Sequence, residues 1–227
     1  MAAAARKSDL LVRTASAVVM LGVAGTALWW GGDVFTFFVA LVAFLVVLEW
    51  RNIVVRFPDS EFAKGVWMAI GGVYAAFACA AVLLLHDKAL FIPVLAVVIG
   101  TDIGAYFAGR TIGGPKIAPA ISPSKTWAGL GGGMVGAALC GSASIWVLNS
   151  TQSGTFTPAP AIPLICASLA VVAQAGDFFE SWMKRRAGVK DSGNILPGHG
   201  GMFDRVDGLL AASIVAYLIA WAAGGLS

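Results

Sequence analysis

The chain has 227 residues, 59% of them hydrophobic and only 12% charged, with a formal net charge of +3. A soluble domain carries roughly 45–50% apolar and about 25% charged residues, so the composition indicates a polytopic membrane protein and gives no sign of a nucleic-acid partner. A spanning helix needs about 20 apolar residues, which leaves room for six or seven spans and excludes a separate soluble domain.

The expected fold class is therefore all-α, a single transmembrane catalytic domain over 1–227. Arg6, Lys7 and Arg13 precede an apolar run from about Leu11 to Trp30. The run is longer than a signal-peptide core and another follows at once, so it reads as an uncleaved first span. A second span is expected at 34–48, ending in Glu49-Trp50-Arg51, with Trp29, Trp30 and Trp50 where interfacial aromatics belong. A polar connection leads to a third span, 66–85, and the turn His86-Asp87-Lys88 to a fourth, 89–108. The N-terminal spans thus occupy about 11–85 and the remaining, site-bearing part about 89–224.

Beyond span four lies a glycine- and proline-rich connection, Arg110 to Lys125. Span five, 127–148, carries Gly129, Gly131, Gly132, Gly133 and Gly136 in its first half, a density that lets helices approach closely and makes a homodimer reasonable. An uncharged connection from Asn149 to Pro160 precedes a short sixth span, 161–176. A polar stretch, 181–207, then separates it from a seventh span, 208–224. Cys79, Cys140 and Cys166 sit in apolar runs without Cys-x-x-Cys spacing and read as small core residues, with neither a disulfide nor zinc expected.

With the N-terminus in the cytoplasm, seven spans put the N-terminal segment and the connections 49–65, 109–126 and 177–207 inside. These hold 14 of the 15 Lys and Arg residues, and only Lys88 lies outside. The positive-inside rule thus favours seven spans in the cell (inner) membrane.

Several charges stand where lipid should not tolerate them. Asp102 lies inside span four, roughly 9 Å from its cytoplasmic end, and an intramembrane carboxylate marks a functional site by default. A structural partner for Arg110 is the plain alternative. Asp177 ends span six, while Asp204 and Asp207 begin span seven and share a helix face if that helix starts by Asp204. Helix capping explains one of them but not both alongside Asp177 and Asp102. Four acids from three spans at one membrane surface call for a cation with oxygen ligands, and Mg2+, one ion or two, is the natural candidate.

Around the acids the 27 residues of 181–207 gather Lys184, Arg185, Arg186, Lys190 and Arg205 with five glycines. Such cations suit an ordinary positive-inside loop. Interleaved with Gly188, Gly193, Gly198, Gly200 and Gly201, whose backbone amides can line an anion-binding concavity, they also suit a polyphosphate. His199 is a candidate phosphate donor. Ser122-Pro-Ser124-Lys125-Thr126-Trp127 offers hydroxyls beside a lysine at a helix N-terminus, a second phosphate position, although capping by Ser124 or Thr126 explains part of it.

These residues resemble the signature of the phosphatidate cytidylyltransferases: Ser181, Lys184-Arg185, Lys190-Asp191, Gly193, Leu196-Pro197, His199-Gly200-Gly201 and Asp204-Arg205-Val206-Asp207. Three further blocks are similar to the family, Asp102 to Arg110, Ser122 to Trp127 and Gln174 to Asp177, so the likeness covers about 100–210. Ser124 and Ala128 stand where that family usually has lysine and glutamate, and no role of that glutamate carries over.

The resemblance implies transfer of a cytidylyl group from CTP to phosphatidate, in the membrane and at its cytoplasmic face, with membrane lipid as the second partner. Asp177 and Asp204 are the expected metal ligands, with Asp207 and Asp102 as further ligands or their supports. Lys184, Lys190 and Arg205 are expected to hold the triphosphate and the lipid phosphate, and Lys125 one of the two. Ser181, His199, Ser124, Arg185, Gly200 and Gly201 complete the substrate-binding set. The alternative is a cation-coupled transporter of a phosphorylated solute, although no internal repeat is visible and the acids gather at one surface. The Asp-Gly-x-x-Ala-Arg pattern of a CDP-alcohol phosphotransferase is absent.

Overall fold

The computed structural model describes residues 2–151, 160–196 and 198–224, with side chains from residue 13 onward. It is all-α apart from one hairpin. The helices are α1 (Ala2–Trp30), α2 (Gly32–Val54), α3 (Glu61–Asp87), α4 (Phe91–Thr111), α5 (Trp127–Thr151), α6 (Ile162–Arg186) and α7 (Phe203–Ala222), and the strands β1 (Lys116–Ala118) and β2 (Ser122–Thr126) lie between α4 and α5.

Among the described residues, α2 to α7 are long and apolar enough to cross a membrane, as expected where every backbone amide must be satisfied within its own helix. The first expected span, 11–30, falls within α1, but the side chains of residues 11 and 12 lie outside the described set. The uncharged connection after α5 also falls largely outside it, over 152–159.

Helix ends differ from the sequence expectation wherever a charge is taken as a stop. The apolar run predicts a sixth span ending at Gly176, yet α6 continues through Asp177, Glu180 and Lys184 to Arg186. The second continues through Glu49 and Arg51 to Val54. Polar residues do not break a helix when their side chains find partners, as those of Glu49, Asp177 and Lys184 do. The break between α3 and α4 is a Schellman turn: the amide of Leu90 donates to Leu85 O at 2.7 Å and that of Ala89 to His86 O at 2.9 Å. Ala89 takes the left-handed φ of 59° usually given to glycine.

The chain divides into two compact units, Met1–Cys79 with Met183–Val206, and Ala80–Trp182 with Asp207–Ser227. In the first, Trp50 is not an interfacial aromatic. It is 2% exposed, its indole Nε1 donates to Trp67 O at 2.9 Å, and its ring lies 5.9 Å from Tyr74 and 5.7 Å from Phe203. Gly71 faces the same indole, where a Cβ would have no room. Trp29 and Trp30 remain exposed.

The second unit is built on the contact of α4 with α5. Gly100 and Gly104 of α4 meet Gly136 and Gly132 of α5 so closely that a Cβ on Gly100 would lie 2.6 Å from Gly136 O. Backbones approach to this distance only where both helices present glycine. The connection 110–126 is not the irregular loop its glycine and proline suggest: β1 and β2 pair antiparallel, with Lys116 opposite Thr126 and Ala118 opposite Ser122. Proline is tolerated in β2 because a two-stranded ribbon has only edges. At the other ends of the helices lies an apolar cavity of about 180 Å³, lined among others by Leu85, Val94, Ile145, Leu169 and Ile219.

The glycine contact yields a paired expectation. Gly136→Ala should lower stability by about 1–3 kcal/mol, because the added methyl must push two backbones apart. Gly131→Ala, with nothing within 4 Å of its Cβ position, should be neutral or stabilising. Thermal unfolding in mild detergent distinguishes the two, and equal effects would count against the close approach.

Candidate active site

The second unit contributes the ends of α4, α5 and α6. Thr126 is 3% exposed, and its Oγ1 accepts from the amide of Gly129 at 3.0 Å, capping α5. The preceding residue, Lys125, is thereby held at the junction of β2 and α5. Its ammonium pairs with Asp177 Oδ2 and stands 4.7 Å from the Phe178 ring centroid, a cation–π distance. The other oxygen, Asp177 Oδ1, accepts from Ser181 Oγ at 3.3 Å, one turn along α6. Asp102, on α4 and exposed, interacts electrostatically with both Asp177 and Lys125.

Asp207 belongs to this unit. Its Oδ1 accepts from the Gly208 amide at 2.7 Å, and its carbonyl packs on Gly176, where a Cβ would lie 2.7 Å away. Gln174, 8% exposed, turns its Nε2 toward Gly133 of α5. Ser124 lies exposed on β2, and its carbonyl accepts from Lys116 Nζ at 3.4 Å.

The first unit holds a second lysine–carboxylate pair. Lys184 Nζ stands 2.5 Å from Asp204 Oδ1, with the two side chains 11% and 9% exposed. The remaining oxygen, Oδ2, accepts from the amides of Ser192 at 2.9 Å and Gly201 at 2.8 Å. The Ser192 hydroxyl is 3.0 Å from the same atom. Two ions removed from water gain stability only when such extra bonds replace their hydration. Each hydrogen bond to a charged group is worth about 1.5–3 kcal/mol.

Glu49 is the residue that sequence reasoning passes over, as a mere span end. It is 1% exposed and accepts from the Met202 amide at 2.9 Å through Oε1. Oε2 accepts from the Phe203 amide at 2.8 Å and from Ser192 Oγ at 2.7 Å. A Cβ on Gly193 would lie 2.6 Å from Glu49 Oε1, and one on Gly201 would collide with Glu49 and Ser192. These glycines therefore clear space for a carboxylate. An ionisable residue inside a long apolar run is the available signal, the same one that singles out Asp102.

The other expected residues are placed as follows. His199 Nδ1 is 2.7 Å from Ser16 Oγ of α1, and its carbonyl accepts from Arg205 Nε at 3.1 Å and Nη2 at 2.7 Å. Gly200 has a φ of 82° and bridges to Leu196, while Pro197 lies outside the described residues. Arg185 and Lys190 are exposed. Arg186 binds Asp59 at 2.8 and 3.0 Å and covers the Phe57 ring at 5.2 Å, which accounts for one cation of the stretch structurally.

Among the described residues no three His, Cys, Asp or Glu side chains converge so as to hold a metal ion by themselves. Asp102 and Asp177 do offer the one or two carboxylates that Mg2+ takes when phosphate oxygens complete its shell. Asp204 already accepts four bonds.

Both lysine–carboxylate pairs lie within residues 65–223, which match a model of the cytidylyltransferase family. The chain belongs to the cytidylyltransferase family. It is 42% identical over 187 residues to a protein of Brucella suis called phosphatidate cytidylyltransferase, covering 80% of this chain and 63% of that one. It is 31% identical over 219 residues to a protein of the same name from Rickettsia bellii, covering 94% and 92%. A third, from Pseudomonas aeruginosa, is 43% identical over 136 residues, 60% of this chain and 48% of that protein. The chain thus spans less than two thirds of the length of its Brucella suis relative. These matches lend the transporter reading no support.

The buried pair in this family member is open to a double-mutant cycle. Lys184→Met and Asp204→Asn, singly and together, should give a coupling of about 1–3 kcal/mol in unfolding free energy. Additive effects would mean that the two side chains act independently.

Proposed function

We propose that the protein is a CTP:phosphatidate cytidylyltransferase. An oxygen of the phosphatidate phosphate attacks the α-phosphorus of CTP, a new P–O bond forms, the bond to the β-phosphate breaks, and pyrophosphate leaves with the electron pair. The observation that carries the reading is the pair of lysines, Lys125 and Lys184, each seated on an aspartate within the segment matching the family. The nucleophile is already anionic at neutral pH, so no strong general base is required, and charge neutralisation with in-line positioning supplies most of the catalysis.

Lys125 and Lys184 hold phosphate oxygens, with exposed Lys190 and Arg185 drawing the triphosphate from water. Arg205 and His199 fix the turn before α7, and Ser181 orients Asp177. Asp177 with Asp102 forms the position best suited to Mg2+, with Asp207 one turn along α7 from Asp204 as a support. Bound there, Mg2+ would neutralise charge on the phosphate oxygens as pyrophosphate departs. The site faces the cytoplasm of the inner membrane, supported by the distribution of Lys and Arg along the chain. A homodimer belongs to the same proposal. Gly132 and Gly136 of α5 are occupied by α4, so pairing would use open glycines such as Gly131 of α5 and Gly65 and Gly72 of α3, and native-lipid crosslinking that yields only monomer would refute it.

Inverted inner-membrane vesicles should form CDP-diacylglycerol from added CTP, phosphatidate and Mg2+, and right-side-out vesicles only after permeabilisation. Chelation by EDTA should stop turnover and Mg2+ restore it. Asp177→Asn should cut kcat by at least about a hundredfold with expression intact. Lack of product from wild type sinks the reaction, and near-normal turnover by Asp177→Asn sinks the metal assignment.

A further inference from the structure

Glu49 lies 132 positions before Ser181, far from the stretch that carries the proposed chemistry. Its carboxylate is nonetheless enclosed by that stretch. Burial to 1% exposure is tolerable for a carboxylate only if donors replace its water. The donors are the amides of Met202 and Phe203 and the hydroxyl of Ser192. The Phe203 amide is the first of α7 and the Met202 amide immediately precedes it, at the helix end whose partial positive charge favours an anion. Ser192 is shared, its single hydroxyl lying between Glu49 Oε2 at 2.7 Å and Asp204 Oδ2 at 3.0 Å. From Asp204 the chain of contacts continues to Lys184 Nζ. Gly193 and Gly201 press on the Glu49 carboxylate, so neither end of the segment can shift without moving it.

We infer that Glu49 is a positioning residue for nucleotide binding: it fixes the 192–203 segment and the start of α7, and through Ser192 and Asp204 sets where the Lys184 ammonium stands. It touches no substrate. The inference rests on the proposed reaction, assigns Lys184 among its phosphate-holding lysines to the CTP triphosphate, and names a residue of α2 outside the family-matched segment as a determinant of that role.

Glutamine has the same shape but turns an NH2 toward donors that need an acceptor. Aspartate at the same position would keep the charge at a shorter reach. The test uses the full chain in lipid nanodiscs, with Glu49→Gln, Glu49→Asp and Ser192→Ala beside wild type. Steady-state constants are measured for each substrate, together with the rise in unfolding temperature produced by CTP alone. Glu49→Gln should raise the KM for CTP about tenfold while that for phosphatidate stays within about twofold, and should shrink the CTP-induced rise. Glu49→Asp should recover part of both.

Equal changes in both KM values, or a lower yield of active protein with both KM values and the CTP-induced rise unchanged, would show Glu49 to be merely structural and overturn the inference. If Glu49→Gln does not fold, Ser192→Ala, lacking the shared hydroxyl, must show the same CTP-selective loss. A wild type stabilised by CTP but forming no product would refute the proposed reaction while leaving this test in force, read from the temperature shift. A wild type that neither turns over nor is stabilised by CTP overturns both.

Discussion

A carboxylate removed from water at a helix N-terminus is stable only while amides and hydroxyls stand in for its hydration shell, and Glu49 and Asp204 meet that condition with the same short segment of chain. Between them they take up the amides of Ser192, Gly201, Met202 and Phe203 and share the single proton of the Ser192 hydroxyl. A glycine-rich loop of this length would otherwise sample many conformations, since glycine loses more freedom on ordering than any other residue. Buried charge supplies the order that side-chain packing cannot. The arrangement is also all-or-none, because losing one acceptor strands several donors at once.

Lys125 and Lys184 share a design, although they stand in different units. Each ammonium is held by an aspartate, Lys125 beside the Phe178 ring and Lys184 with a side chain only 11% exposed. A lysine tethered in this way has surrendered much of its rotamer freedom before any anion arrives. In the proposed reaction an incoming phosphate would exchange one anionic partner for another, so that neither lysine is left as an isolated ion in low dielectric.

Much of this is legible in the residues. Apolar run lengths indicate the helices, and the misplaced charges Asp102, Asp177, Asp204 and Asp207 stand out because lipid makes an unpaired acid costly. The glycine pattern of α5 correctly implies close helix contact. What escapes is anything decided by a partner distant in sequence. Trp50 reads as interfacial until Tyr74 and Phe203 close around it, and Glu49 reads as a helix end until Ser192 and α7 cover it. The sixth span comes out short because Asp177 and Glu180 look like solvent, whereas both occur within a continuous helix. The hairpin of 116–126 is hidden by proline and glycine, whose usual meaning is a loop.

The apolar cavity among the far ends of the helices has a bearing on permeability. A void lined by Leu, Val and Ile offers water no hydrogen-bond partners, and cavities of this kind remain dry. Charged groups gathered at one end of α4, α5 and α6 would otherwise invite a file of water across the second unit. The apolar lining at the far ends of the helices gives such a file no partners to bind there.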